Sequence, residues 1–456
     1  MRLHVPFIKG ILLTAGLLQI SSLGHTETLQ EIYALAVEND HEFKAAYAAY
    51  QSGVEAKSFG RSALLPKING TASWLDSSTE RSGTSTSETD NTNSGYRISV
   101  EQPLFDLAAW HNYKAGVASA DIAHAQFKSD QQALIIRTAE AYFAALEAAD
   151  NLRTSLAEEE ALIHQLEQTR QRFEVGLSAI TEVHEAQAVY DSSVADRLFS
   201  EGQVGITFEA LQVLTGISHN QIAPLKDTFV ASAPQPKARD AWVERALESN
   251  YILEMAKLNA DSARSTAKSK KAEHYPKLSL SGSYSSFNDD TTLDGFQSGD
   301  VDTDNQTIGV TLSIPFYNGG AVSSSRRQAQ QGSIQAREQY LKSRRDIVQS
   351  ARSQHLIVAT SVATVKARKQ TIISTESALE ATKAGYSVGT RDLVDVLRAQ
   401  RGLYQAQRNY STALYDYIIG SLRLKEVAGM LSESDISQLS AWLDIKNLVD
   451  RSSVSL

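Results

Sequence analysis

Apolar residues recur three or four positions apart along a proline-free stretch from Leu107 to Phe173. A second proline-free stretch, 321–386, is rich in Ala, Gln, Arg and Ser. A helix of 67 residues spans about 100 Å, and helical spacing sustained over that length predicts coiled-coil packing. Each stretch ends at a Val-Gly pair and is followed by a further helical segment, 178–215 or 391–429. The pattern predicts two very long helical hairpins, each with its tip at a glycine.

Four shorter segments alternate apolar and polar residues, which is typical of a strand with one apolar and one polar face. The alternation is strict where Ile308, Val310 and Leu312 share one face, and it is weakest near Trp74. Each strand is predicted to be about nine or ten residues long. The four segments are 68–75, 96–104, 278–284 and 306–314.

The segments that join these strands in pairs, 76–95 and 288–305, are long, polar and acidic, and we predict surface loops there. Long loops on one side of the strands and helices on the other are typical of an outer-membrane barrel. A small soluble sheet beneath the helices is the alternative. Five aromatic residues would lie near a membrane interface in the first case and in an ordinary core in the second: Trp74, Phe105, Trp110, Phe316 and Tyr317.

Four strands cannot close a barrel by themselves, and open strand edges are not tolerated in lipid. If these strands cross a membrane, several chains must therefore contribute strands to one sheet. Two chains would supply eight strands and three would supply twelve, so the sequence predicts a symmetric oligomer.

The order of elements occurs twice along the chain. "LLPKING" at 64–70 is echoed by "HYPKLSL" at 274–280, and Gly176 corresponds to Gly389, at offsets of 210 and 213 residues. We predict one repeat in 25–225 and a second in 241–431, each with a helix, a β-hairpin and a long helical hairpin. The segment 226–240 is predicted to be a linker, and 432–456 a C-terminal segment near the middle of the hairpins.

Residues 1–24 have a basic start, an apolar run and small residues at their end, which predicts a signal peptide rather than a short buried helix. Their removal changes the formal charge from −9 to −11, because Arg2 and Lys9 are lost. An acidic chain is a poor candidate for nucleic-acid binding. Cysteine is absent and no two histidines lie three or four residues apart, so we expect neither a cofactor nor a metal site.

Two segments resemble the TolC-type outer-membrane channels of efflux pumps and type I secretion systems. They are "QRFEVGLSAITEVHEAQAVYD" at 171–191 and "GYSVGTRDLVDVLRAQRGLYQAQ" at 385–407. The resemblance implies a mixed α and β membrane protein, a homotrimer in which a 12-stranded β-barrel in outer-membrane lipid continues as a helical tunnel across the periplasm. It also implies no enzymatic activity. The implied partners are a periplasmic adaptor protein and an inner-membrane efflux pump or ABC transporter.

The resemblance assigns roles to residues at the hairpin tips. The surface that an adaptor would grip comprises Val175, Gly176, Leu177, Val388 and Gly389. Contacts that hold the tip closed in the family correspond to a Tyr386–Glu182 link and an Arg391–Thr181 link. The family usually has aspartate at the position of Glu182.

Asp395 corresponds to a family aspartate at the narrowest part of the pore. The residues alone favour an exposed aspartate on a solvated helix face, or one that pairs with Arg391 at a spacing of four, and the motif match reverses that preference. The family often has a second aspartate three residues later, where this chain has Arg398. Three copies of an Asp395–Arg398 pair predict a pore that is less cation-selective than the family norm.

Two other classes of protein fit parts of this pattern. A periplasmic structural or adaptor protein would also carry coiled-coil hairpins, but adaptors usually have one hairpin and this chain has two. An enzyme is less compatible, because the sequence lacks G-x-S-x-G, H-E-x-x-H and a phosphate-binding glycine loop before lysine.

Overall fold

The computed structural model describes residues 27–84, 87–293 and 295–451. The predicted signal peptide, 1–24, lies outside these residues. Each half of the chain has two short helices, a β-hairpin, and a long helix followed by a returning helix. In the first half these are α1 (Leu29–Asn39), α2 (His41–Ser62), β1 (Lys67–Arg81), β2 (Ser87–Phe105), α3 (Leu107–Glu174) and α4 (Ile180–Thr215).

The second half repeats this order after a two-residue strand, β3 (Gln221–Ile222). The predicted long helices and their returning partners are confirmed to within about three residues. The chain then ends in a short helix and a second two-residue strand. The elements are α5 (Arg239–Ser249), α6 (Tyr251–Ala272), β4 (Lys277–Leu293), β5 (Phe296–Ser313), α7 (Ala321–Ser387), α8 (Leu393–Val427), α9 (Glu433–Ser440) and β6 (Val449–Asp450).

The four long strands form one antiparallel sheet in the order β1-β2-β4-β5. In register, Ile68 lies opposite Val100, Val100 opposite Gly282, and Gly282 opposite Ile308. Side chains directly opposite one another share a face of the sheet, so the predicted apolar positions form one band. That band is uncovered in the chain, where 87% of the Ile308 side chain is exposed. The strands β1 and β5 are the two unpaired edges of the sheet.

The prediction of long surface loops at 76–95 and 288–305 is wrong. The strands run on through these segments, with Asp76 opposite Thr92 and Asn288 opposite Asp302. The strands are therefore 15 to 19 residues long rather than nine or ten. Cross-strand hydrogen bonds, such as the one from Asn288 Nδ2 to Asp302 Oδ1 at 3.0 Å, help to hold these polar ends together. Both faces are polar here, so the backbone ladder continues without the apolar alternation that marks a strand in the sequence.

The junctions between sheet and helix follow local sequence signals. Asp106 caps α3, since its carboxylate accepts a hydrogen bond from the Ala109 amide at 2.9 Å. At the same end of the sheet, Gly319 and Gly320 have positive φ and turn the chain from β5 into α7. Helices α2 and α3 lie in close contact, because a Cβ on Gly116 would meet the Ala56 carbonyl oxygen at 2.6 Å.

The main hydrophobic core lies at the middle of the long helices, where α1, α3, α4 and α8 meet. Tyr142, Phe143, Phe208 and Ile418 are among its fully buried side chains. The hydroxyl of Tyr142 donates to the Ala223 carbonyl at 2.7 Å, so the one polar atom of this large side chain is paired. This core joins α4 and α8, the returning helices of the two halves, to α3.

The C-terminal segment packs against this middle region. Strand β6 pairs with β3, and Leu443 forms an isolated bridge with Leu225. The predicted linker 226–240 is bonded to the C-terminal segment, since the Lys226 amide donates to the Trp442 carbonyl at 2.9 Å. None of the helices in the described ranges combines the length and apolar character that a bilayer-spanning helix needs.

Candidate functional site

The two helical hairpins turn at Val175-Gly176 and Val388-Gly389, as the sequence predicts. Gly176 and Gly389 have φ values of 76° and 78°, in the left-handed region that favours glycine. At each tip an amide past the glycine closes the helix end. The Leu177 amide donates to the Arg172 carbonyl at 2.7 Å, and the second tip repeats this bond.

Apolar side chains surround both glycines and are open to solvent. Val175 and Leu177 flank the first, and Val388, which is 75% exposed, precedes the second. Solvent-exposed valine and leucine beside a rigid turn offer an apolar surface with a fixed shape. The residues predicted to bind an adaptor therefore lie together at the free end of the hairpins.

A small apolar cluster just above the tips joins the two hairpins. Leu166 of α3 and Ala186 of α4 pack with Leu393 and Leu397 of α8, and all four are buried. Tyr386, near the end of α7, packs against this cluster. The first and second hairpins of one chain are thus in direct contact at their ends.

Tyr386 forms the polar link that the sequence predicts. Its hydroxyl lies 3.4 Å from the Glu182 Oε2 atom in α4. The Arg172 guanidinium stacks over the tyrosine ring at 5.0 Å from its centre. Burial raises the pKa of Tyr386, and the nearby Glu182 carboxylate raises it further. The tyrosine is therefore a neutral hydrogen-bond donor at physiological pH.

Glu182 accepts a second hydrogen bond from its own hairpin. The Ser178 hydroxyl donates to the same Oε2 atom at 2.8 Å. This bond orients the longer glutamate side chain at a position where the family usually has aspartate. Ser178 and Arg172 were not predicted to belong to this site. For Ser178 the sequence did offer a signal, because a serine in the turn four residues before Glu182 can bond to its side chain.

Arg391 and Thr181, both among the described residues, are not bonded to each other in the single chain, and their link stays a prediction for the assembled tip. Arg391 instead places Nη1 at 3.3 Å from Asp395 Oδ2, one helical turn along α8. Ion pairs at this spacing form readily because the two side chains share a helix face. Thr181 is exposed on α4.

Asp395 lies between two arginines. Arg398 Nη1 approaches its other carboxylate oxygen at 3.8 Å, as the spacing predicts. The Asp395 amide also donates to the Asp392 side chain, which caps α8 at 2.8 Å. The aspartate is thus fixed in the first turn of α8, with its charge offset by two exposed cations.

Within the described ranges, no group of three histidine or acidic side chains is arranged to hold a metal ion. The polar groups at the tip are instead engaged in hydrogen bonds and ion pairs that join or stiffen helices. The site is built to hold helices in one arrangement.

Comparison with known proteins places this geometry in context. Residues 32–217 and 242–430 match the model of the family described as "Outer membrane efflux protein". The chain is 38% identical over 435 residues to outer membrane protein TolC of Vibrio cholerae, covering 95% of this chain and 98% of that protein. It is 30% identical over 421 residues to alkaline protease secretion protein AprF of Pseudomonas aeruginosa, covering 90% and 86%.

The fold is shared with a solved outer-membrane channel. The Campylobacter jejuni CmeC outer membrane channel superimposes with a TM-score of 0.73 at 17% sequence identity, covering 92% of this chain and 90% of that one. The two matched family segments correspond to the two structural halves of this chain.

Proposed function

Because the chain belongs to the outer membrane efflux protein family, we propose that it is the exit duct of a drug-efflux or type I secretion system. Its relatives include an outer membrane protein TolC and a protease secretion protein, and each aligns over nearly its whole length. The protein belongs to the outer membrane and extends into the periplasm. We assign it no catalytic activity and no cofactor.

The observation that carries this proposal is the continuity of a membrane-compatible sheet with two long helical hairpins. The apolar band of the sheet is exposed, and within the described residues of the single chain its edges β1 and β5 are unpaired. In lipid those edges must find partners, since each unpaired peptide group costs several kcal/mol. A homotrimer satisfies them by joining β5 of one chain to β1 of the next, which gives twelve strands in one barrel.

The hairpin tips are proposed to form the periplasmic entrance. Six Val-Gly turns would meet there in the trimer. The exposed Val175, Leu177 and Val388 side chains offer an apolar surface for a periplasmic adaptor protein. Such an adaptor would connect the duct to an inner-membrane efflux pump or ABC transporter, which supplies the energy.

The closed state is proposed to depend on the Tyr386–Glu182 contact, which ties α7 to the first hairpin. Three Asp395 carboxylates would surround the axis in the trimer. Because each is paired with two arginines, Arg391 and Arg398, in this chain, the ring carries no excess of negative charge. Selection for cations is therefore weaker than a ring of unpaired carboxylates would give.

Single-channel recording in a planar bilayer tests the proposal. Purified mature protein is expected to show a small conductance, and Tyr386→Phe/Arg391→Ser a much larger one, because the Tyr386–Glu182 contact and the predicted Arg391–Thr181 link are both removed. Absence of conductance from both proteins, with the protein folded and soluble without detergent, would favour the periplasmic structural or adaptor alternative and refute the duct.

A further inference from the structure

A basic groove runs between α6 and α7 just below the sheet. Its volume is about 1000 Å³, and its end nearer the sheet is lined by Lys268, Lys271, Arg326 and Arg327. All four side chains are exposed. Helix α6 runs toward the sheet and α7 runs away from it, so cations from two helices line the same end of the groove.

These four charges are not neutralised within the chain. In the part of the chain that the structure describes, none of them forms an ion pair. Asp261, farther from the sheet, is the one carboxylate among the described residues that line the groove. Clustered cations that repel one another are retained at a cost, and an anionic partner would offset that repulsion.

The groove lies on the outside of the layer of helices. Helix α6 lies between α3 and α7. Around its axis, the direction of α3 is given by Ser262 and Ser269, which bond to that helix, and the direction of α7 by Ala260 and Ala263, which lie beside it. With 3.6 residues per turn, the directions of α3 and α7 divide the circumference of α6 into a narrower arc and a wider one of about 220°. Lys268 and Lys271 lie in the wider arc. In a ring of helices the wider arc faces outward, so the groove faces the surroundings and not the lumen.

The upper end of the groove lies close to the membrane-facing sheet. Lys271 precedes the first residue of β4, Lys277, by six residues, a separation of at most about 20 Å. Phe316 and Tyr317 lie between β5 and α7 and are 91% and 83% exposed. Tyrosine favours the boundary between lipid and water. The four cations therefore lie on the periplasmic side of this boundary.

We propose that this end of the groove binds the phosphate head groups of anionic phospholipids in the periplasmic leaflet of the outer membrane. The proposal rests on the proposed function, because it requires the sheet to lie in that membrane. Arg326 and Arg327 can bind phosphate oxygens in pairs, and the two lysines add point charges. Each cation near an anionic leaflet strengthens binding about fivefold.

Native mass spectrometry of the purified trimer tests this. The protein in a neutral detergent is titrated with dioleoyl phosphatidylglycerol and, separately, with dioleoyl phosphatidylethanolamine. The variant Lys268→Gln/Lys271→Gln/Arg326→Gln/Arg327→Gln is expected to bind phosphatidylglycerol at least tenfold more weakly than wild type. Binding of phosphatidylethanolamine is expected to change little.

The matched control removes four exposed cations from the lower part of α7. Lys366→Gln/Arg368→Gln/Lys369→Gln/Lys383→Gln is expected to bind phosphatidylglycerol as wild type does. Equal losses in both variants would show a general effect of net charge and overturn the proposal. So would wild-type protein that does not prefer phosphatidylglycerol.

Two further measurements separate the sources of anion. Displacement of the lipid by inorganic phosphate at equal concentration would assign the groove to free anions and overturn the lipid assignment. Binding of polyglutamate in place of lipid would assign it to an acidic protein. Bilayer conductance distinguishes failure of the lipid proposal from failure of the proposed duct. A groove variant that has lost its preference for phosphatidylglycerol but conducts like wild type leaves the duct intact.

Discussion

Removal of the Tyr386 hydroxyl isolates the polar link between the two hairpins. Tyr386→Phe keeps the ring that packs on the apolar cluster and the stacking of Arg172, and deletes the bond to Glu182. At 3.4 Å the bond is long for its type, so we assign it about 1 kcal/mol rather than more. Three such bonds in the trimer sum to about 3 kcal/mol.

The size of the effect depends on whether the tips move together. If all three second hairpins open in one step, 3 kcal/mol shifts the ratio of open to closed channels about 150-fold. If each opens independently, the shift per tip is about fivefold and intermediate conductance levels appear. Single-channel recording of Tyr386→Phe in a planar bilayer distinguishes the two.

Two control variants make the result interpretable. Tyr404→Phe deletes a hydroxyl that joins α8 to the Ala157 carbonyl of α3 at 3.0 Å, away from the tip, and is expected to leave the conductance unchanged. Ser178→Ala frees the Glu182 oxygen from its bond within the first hairpin but leaves the link to Tyr386. Conductance of Tyr386→Phe equal to that of wild type, with the trimer intact, would refute a role of this contact in closure.

Three further predictions concern the pore, the core and the sheet-proximal helices. Arg398→Asp leaves Asp395 beside one arginine and adds a carboxylate, so cation selectivity measured from reversal potentials is expected to rise; identical selectivity would count against a pore location. Tyr415→Phe removes the 2.7 Å hydrogen bond to Asp150 and is expected to cost about 1.5–3 kcal/mol at neutral pH. Burial raises the pKa of Asp150, so the folded state holds its proton more tightly than the unfolded state. The contribution of protonated Asp150 to stability is present below the ordinary aspartate pKa and is lost as pH rises through the raised value. The bond from Tyr415 lowers the pKa of Asp150, so without it the loss of stability should extend to higher pH in melting curves of the variant. Gly116→Val places side-chain atoms where a Cβ alone would lie 2.6 Å from a backbone oxygen of α2, and is expected to lower the melting temperature by several degrees; an unchanged value would mean that α2 and α3 can separate freely.

Helix extent was predictable because proline, glycine and apolar spacing act locally. The absence of proline between 104 and 223 and after 315, together with the glycines at 176 and 389, located both hairpins to within about three residues. The extent of the strands was not predictable, because beyond Trp74 both faces of the sheet are polar and the sequence no longer alternates between apolar and polar residues. There the ladder is set by the neighbouring strand, as in the bond between the side chains of Asn93 and Asp289.

The tip shows the same division. A motif shared with known channels identified Tyr386 and Glu182, and the contact is present. The choice of Arg391 between Thr181 and Asp395 depends on the competition of a local ion pair with a contact across helices, which sequence spacing does not decide. Arg172 lies on a different helix from Tyr386, and only the packed structure brings it to the site. Ser178 lies four residues before Glu182, so its contact is local and could have been read from the sequence.

The continuation of the strands beyond the apolar band also governs where the exterior of the protein can be altered. Proteases bind their substrates as extended, unpaired chain, and residues 76–81 and 87–92 already have their backbone groups paired across the hairpin. An epitope tag or a cleavage sequence within these strands would break the ladder and shift its register. Insertions are best tolerated where strands end, so a surface label belongs between Arg81 and Ser87 or between Leu293 and Phe296.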